Sequence, residues 1–284
     1  MPGKPMLRLY RGGRPMIRED LANLWYQAIF SRYSVRAYER KTVPRDFREE
    51  IESLLNGFSP MCNGARAVLL EDGAEEILCG FWGIFGKIRG ADMLLVLIGE
   101  TSHPNYEVAV GFLGEGIILH ATSQGLGTCW VAGTYSRRMV EARVNLGDSE
   151  KIMAVSPIGF AQVSGTDMEG KSVQAPRVIH RRKPLQSIMR GLPVEDFPAG
   201  YLEMLEAARL APSAINRQPW RFMVEPDGIT VSAAGFELLP MTARRLDCGI
   251  AMLHLEVAAR AHGIHGEWKY ITEPPAVAKY VVLP

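Results

Sequence analysis

The feature that most constrains this chain is that it repeats itself. An apolar run from Tyr106 to Gln124, stopped by Gly125, has a counterpart from Asp247 to His262, stopped by Gly263. Both runs are too long and too evenly apolar for strands, so each reads as a buried helix. A displacement of 138 residues lays Gly111 on Gly249, Ala121 on Ala259, Gly125 on Gly263 and Trp130 on Trp268, with Leu126 facing Ile264. Upstream, a displacement of 155 lays Arg66, Asp72 and Gly73 on Arg221, Asp227 and Gly228. Buried helices ending in glycine resemble one another, and these identities alone would not carry a repeat. Order, spacing and helix ends agree together, which predicts two similar halves. Gly111, Gly114 and Gly116 fall inside the first apolar helix, not at a strand-to-helix turn. They are therefore read as points of close approach to the second long helix, not as a dinucleotide fingerprint.

Other elements fill the same rhythm. Glu19 to Ser31 carries Leu21, Leu24, Trp25, Ala28 and Ile29 at helical spacing. Thr42 and Pro44 mark a second helix start, continued by Phe47, Ile51, Leu54 and Leu55. Ala67 to Leu70, Met93 to Ile98 and Lys151 to Val163 read as strands. In the second half Tyr201 to Leu210 reads as a helix, and Arg221 to Val224 and Trp268 to Ile271 as strands. The Pro-, Gly- and Arg-rich stretch from Ser164 to Gly200 suits an exposed join.

Composition removes several function classes. With 32 Lys+Arg against 31 Asp+Glu, the net charge of +1 offers no field to gather nucleic acid or a membrane surface. Val108 to Ala121 is too short for a bilayer span and contains Glu115 and His120. Cys62, Cys79, Cys129 and Cys248 are scattered, which argues against a disulfide framework or structural zinc and for a reducing compartment. Met1 to Arg18 has no apolar core of the kind a signal peptide needs. A cytoplasmic protein is expected. His262 and His265 have chelating spacing, but no Glu or Cys lies at ligand distance, so a helix-end histidine pair is expected and no metal. No Walker A loop, Gly-x-Ser-x-Gly elbow or zinc-protease motif is present.

Two segments can carry chemistry. Arg32-Tyr33-Ser34-Val35-Arg36 ends a helix with two guanidinium forks and a hydroxyl, the groups that grip a phosphate monoester; equally, Arg-rich helix ends are commonly solvated surface. Pro212-Ser213-Ala214-Ile215-Asn216 follows an apolar helix and leads through Gln218-Pro219-Trp220 into a strand. Its Ser and Asn can read the edge of a flat heterocycle, while the small Ala214 permits close approach; a plain helix cap and turn is the rival reading. The basic run His180-Arg181-Arg182-Lys183-Pro184-Leu185 is either a contact or a solvated linker.

Taken together, Arg32 to Arg36, Gly125-Leu126-Gly127-Thr128-Cys129-Trp130-Val131-Ala132-Gly133, Arg182-Lys183-Pro184-Leu185 and Pro212 to Trp220 resemble the nitroreductase superfamily that depends on flavin mononucleotide (FMN). The duplicated layout resembles its single-chain branch, over roughly residues 20–270. The resemblance implies an α+β fold with two pseudo-symmetric halves, residues 18–190 and 191–284, imitating the family's homodimer in one monomeric chain, with 1–17 an extension. One FMN would lie between the halves. Arg32, Ser34 and Arg182 would hold its phosphate, Tyr33 contributing backbone, and Arg36 would reach the pyrimidine edge. Val131, Ala132 and Gly133 would present backbone near flavin N5. Pro212, Ser213, Ala214 and Asn216 would cover the ring from the second half. No side chain is required as catalytic acid or base. NAD(P)H would be the reductant and a nitroaromatic, quinone or similar small molecule the acceptor. A flavin-binding or sensing module without turnover, or a dehydrogenase, dehalogenase or flavin-fragmenting enzyme of the same superfamily, are the alternatives.

The departures from the family pattern matter as much. Met61 to Ala65 stand where the second half has Asn216 to Trp220, and the second half has neither an Arg-x-Ser-x-Arg segment nor a second Arg-Lys-Pro-Leu. Each half lacks what the other keeps, so one site and one dead twin are expected.

Overall fold

The repeat is visible in the order of elements. The first half runs α1 (Glu19–Ser31), α2 (Arg45–Leu55), β1 (Ala65–Leu70), α3 (Ala74–Cys79), β2 (Met93–Glu100), α4 (Tyr106–Ser123), β3 (Gly127–Thr128), α5 (Arg137–Glu141) and β4 (Glu150–Gly159). Two short strands, β5 (Gly165–Thr166) and β6 (Ser172–Val173), and then α6 (Leu185–Ile188) and β7 (Met189–Gly191) lead across. The second half comprises α7 (Tyr201–Arg209), β8 (Trp220–Glu225), β9 (Gly228–Ala233), α8 (Arg244–Ala261), β10 (Gly266–Tyr270) and β11 (Ala276–Val282). The computed structural model describes residues 17, 19–55, 63–79, 88–162, 165–166, 172–173, 181–235 and 243–284. Met61 and Cys62, two of the residues compared with the Asn216 loop, lie outside them.

The first sheet has the order β1-β2-β4-β3 and the second β10-β11-β9-β8-β7. Read from β8, the second repeats the first, and every matching pair of neighbours is antiparallel. The exception is β7, which lies at the expected join and adds in parallel to β8. β1 and β8 each span six residues, 155 positions apart. β2 is buried from Met93 to Gly99, as a strand covered on both faces must be, and its sequence is correspondingly unbroken in hydrophobicity.

The helices α4 and α8 hold the centre. Each has 18 residues, and most of each is buried, as central helices packed on several sides must be, with the few buried charges paired. A Cβ on Gly111 would overlap the Leu246 carbonyl and crowd Ile250, while one on Gly249 would overlap the Val108 carbonyl and crowd Phe112. Those contacts are each other's images under the 138-residue displacement, the reciprocity of a two-fold interface. Gly114 behaves differently from expectation. Its missing Cβ leaves room for Trp130 and Leu97, not for the partner helix. Both helices end alike: Gly125 and Gly263 take left-handed φ of 80° and 71°. Leu126 N–H returns to Ala121 at 2.9 Å and Ile264 N–H to Ala259 at 2.8 Å, satisfying carbonyls the helix leaves open. No helix among the described residues is long and apolar enough to cross a membrane.

Candidate functional site

The Arg32 to Arg36 segment leaves α1 as an extended edge beside β3. Ser34 bridges Thr128 in parallel, and Val35 N–H donates to the Thr128 carbonyl at 2.8 Å. Arg89 N–H donates to the Arg36 carbonyl at 3.1 Å, and the Tyr38 hydroxyl to the Val35 carbonyl at 2.9 Å. The segment is therefore a fixed rail. Ser34 and Arg36 face Cys129, whose thiol burial pushes up while Arg36, Ser34 and Arg32 pull it back down. Arg36 Nη1 also donates to the Ser34 carbonyl at 3.4 Å. From Cys129 the chain continues through Trp130 to Val131, which pairs with Val155 through both backbone groups at 2.8 and 2.9 Å. Ala132 and Gly133 follow, half-buried.

Arg32 turns inward. It is 4% exposed, and its Nε stands 3.6 Å from Glu115 Oε1 without a hydrogen bond. Its Nε and Nη1 are buried and have no hydrogen-bond partner, and it is the one charged side chain so placed among the described residues. The neighbouring Thr128 hydroxyl is likewise buried without a partner. An unmet buried guanidinium is costly, and an anion brought to it would recover that cost.

A second arginine converges from the join. Arg182 donates to the Leu210 carbonyl from Nε and Nη2 at 3.2 and 3.0 Å and to Asn216 Oδ1 from Nη1 at 2.9 Å. Burial, with Arg32 beside it, drives its pKa down to about 10; Glu115 opposes that shift and Arg209 adds to it. Arg209 is itself paired with Glu206 at 2.6 Å. An arginine stays charged at any ordinary pH, so the shift reports burial first and the neighbouring positive charge of Arg32 second, not a neutral side chain.

The loop of the second half is wired to the same place. Asn216 Nδ2 donates to the Arg181 carbonyl at 2.7 Å, and Lys183 N–H donates to Gln218 Oε1 at 2.7 Å. Gln218 N–H donates to Ser213 Oγ at 2.9 Å. Buried Asp247, in the first turn of α8, receives Ala214 N–H at 3.2 Å and Arg217 Nε at 2.9 Å. This wiring holds three non-glycine residues in left-handed conformations: Ile215 at φ 49°, Asn216 at φ 56° and Gln218 at φ 50°. Asn tolerates that region, but β-branched Ile does not, and such strain persists where surrounding bonds over-determine it.

Of the residues expected from sequence, Arg32 is brought close enough to Arg182 to help lower its pKa, and Arg182 binds Asn216 directly. Ser34 and Arg36 line the same rail as Cys129 and Val131. Two residues were missed in the sequence as site elements. Glu115 receives the Trp130 indole N–H at 2.6 Å and contacts His254 at 2.9 Å, with both acid and imidazole fully buried. Glu115 registers in the sequence only as a charge inside an apolar run, and no spacing rule links it to a histidine 139 residues on. Among the described residues no group of three or more His, Cys, Asp or Glu is placed to hold a metal ion. His262 Nδ1 contacts the Ala258 carbonyl at 2.9 Å. An open cleft lined by Glu75, Glu76 and Asp92 lies elsewhere, and its carboxylates are the wrong sign for a phosphate.

The family model described as "Putative TM nitroreductase" matches residues 25–259 of the chain. A solved structure of a putative nitroreductase from Thermotoga maritima MSB8 shares the fold, with TM-score 0.65 and 20% identity over 99% of this chain and 100% of that one. A nitroreductase with bound FMN from Desulfitobacterium hafniense DCB-2 matches with TM-score 0.43 and 19% identity, over 55% of this chain and 94% of that one. A putative NADH dehydrogenase/NAD(P)H nitroreductase from Bacteroides thetaiotaomicron VPI-5482 matches with TM-score 0.43 and 19% identity, over 56% and 94%. No curated protein matches the chain.

Proposed function

The chain belongs to the nitroreductase family matched over residues 25–259, and from that premise we propose that it is an FMN-dependent oxidoreductase with one flavin site between its halves. The observation that carries this reading is Arg32, a buried guanidinium with unmet donors beside a second arginine from the join. A phosphate monoester supplies the acceptors those donors lack and the charge the cluster calls for.

In this reading Arg32, Ser34 and Arg182 hold the phosphate, with Tyr33 contributing through its backbone. Arg36 puts positive charge at the pyrimidine edge, where electron uptake leaves negative charge. Val131, Ala132 and Gly133 offer backbone along the central ring. Pro212, Ser213, Ala214 and Asn216 close over it from the second half, and Asp247 preorganises that loop. FMN, when bound, supplies the two-electron chemistry between NAD(P)H and an acceptor such as a nitroaromatic or quinone. The protein binds and orients; no side chain acts as acid or base. The pseudo-dimeric core lets the chain work as a monomer, in a cytoplasmic setting.

Purified protein should carry a flavin absorption spectrum or bind added FMN in a fluorescence titration. It should oxidise NAD(P)H when a nitro or quinone acceptor is present. A preparation that neither carries nor binds FMN would sink the site. FMN binding without turnover would reduce the protein to a flavin-binding module.

A further inference from the structure

Glu115 and Arg32 are buried side by side, yet they do not close into the bidentate pair that a carboxylate and a guanidinium ordinarily form. The Arg32 Nε stops at 3.6 Å. Both carboxylate oxygens are already engaged, Oε2 by Trp130 at 2.6 Å and Oε1 by His254 Nε2 at 2.9 Å. On its other side, His254 Nδ1 lies 3.0 Å from the Ala207 carbonyl, which can only accept, so Nδ1 carries a proton. The contact between Nε2 and Oε1 then needs one further proton between them. Acid and imidazole together therefore hold no net charge, and the two arginines nearby keep theirs.

The second half shows what happens without such a partner. Glu256 receives the Trp268 indole N–H at 3.0 Å, as Glu115 receives that of Trp130, and among the described residues no histidine is hydrogen-bonded to it. Arg260 closes onto it at 2.8 Å. Under the 138-residue displacement Glu115 corresponds to Leu253 and His254 to Gly116, so the acid–imidazole pair belongs to one half-site alone.

We propose that His254 is a positioning residue. By sharing a proton with Glu115 it prevents that carboxylate from capturing Arg32, and so keeps the Arg32 donors open for a phosphate monoester. This rests on the flavin reading, and the experiment separates the two. FMN and riboflavin, which lacks the phosphate, are titrated against the wild-type chain, R32A, H254Q, H254K and the double variant H254Q/E115Q. The wild type binds FMN more tightly than riboflavin, and R32A loses most of that preference. H254Q leaves Glu115 a carboxylate with no shared proton to neutralise its charge, so that it pairs with Arg32, lowering FMN affinity about tenfold or more while riboflavin affinity holds. Adding E115Q removes the competitor and recovers the FMN preference. H254K, which gives Glu115 a fixed positive partner, keeps it. A merely structural role predicts instead that H254Q weakens both ligands and that the double variant is worse still. The inference is overturned by an H254Q protein with wild-type FMN preference, by a double variant below the single one, or by loss of preference in H254K. No FMN preference in the wild type, or full preference in R32A, overturns the phosphate reading itself and the inference with it.

Discussion

Trp130 and Trp268 occupy corresponding places in the two halves, and each gives its indole N–H to a buried glutamate, but the two glutamates keep different company. Glu256 is saturated from within its own helix by Arg260, four residues on. Glu115, one helical turn out of register with it, is shared with His254 of the other half and stands off from Arg32. One cluster is closed and the other has donors to spare. Two regions of matching form thus differ in one respect that a ligand can use: where the arginine's hydrogen bonds go. The closed cluster stabilises the fold, and the open one leaves buried donors unmet at some expense of stability, which is why we propose it as the binding site.

The sharpest break of this comparison is a pair of arginine variants. R260Q leaves Glu256 a buried charge without its partner, which costs about 3–5 kcal/mol and lowers the melting temperature by roughly 10 °C, with FMN affinity retained. R32Q does the opposite: FMN affinity falls on the order of 10- to 100-fold while melting of the ligand-free protein changes little. Thermal melts and FMN titrations on both variants check the crossover. Equal behaviour of the two arginines would erase the distinction between the clusters.

A second test concerns what the halves share. G111A and G249A each push a Cβ into the backbone of the facing helix, so each should cost about 1–3 kcal/mol or more, and the two costs should match. Markedly unequal losses in denaturant melts would mean that α4 and α8 do not meet about a two-fold axis.

The smallest effect separates Arg66 from its counterpart Arg221. Arg66 binds Glu150 through Nε and Nη2 at 2.6 and 2.7 Å, whereas Arg221 Nη1 donates to the Trp220 and Gln218 carbonyls at 2.7 and 3.4 Å. The hydrogen bond from Arg66 holds the Glu150 carboxyl down at about 2, below its ordinary 4.5, against a small opposing effect of burial. A depressed acid contributes stability that is complete above its unfolded pKa and is lost as pH falls from about 4.5 through about 2. E150Q should therefore flatten acid denaturation over that window, and R221Q should leave it unaltered. Urea melts from pH 5 to pH 2 read both.

What the sequence discloses about this protein follows from what kind of signal each part leaves. The long helices are legible because extensive burial writes a long, mostly apolar run with a glycine at its end, and Gly125 and Gly263 mark the ends in the structure. The interior strands β9 and β11 leave no such run; they are six and seven residues long and are broken by Thr230 and Ser232 in one and by Lys279 in the other. At the site, Arg32, Arg182 and Asn216 stand out because their residue types and local order have chemical meaning. The Arg182–Asn216 bond spans 34 residues and the Glu115–His254 contact 139, and nothing local encodes either. Gly114 teaches the same lesson, since its neighbour is set by where Trp130 lands after the chain has turned.

The most direct test of the central claim is the number of flavins per chain. Open donors occur in one cluster and saturated ones in its counterpart, so the account predicts one FMN bound per chain at saturation, by calorimetric titration or by flavin absorbance against protein concentration, and a clearly lower occupancy in R32Q at the ligand concentration that just saturates the wild type. Two FMN per chain would contradict it, because the Glu256–Arg260 side would then be a working site as well.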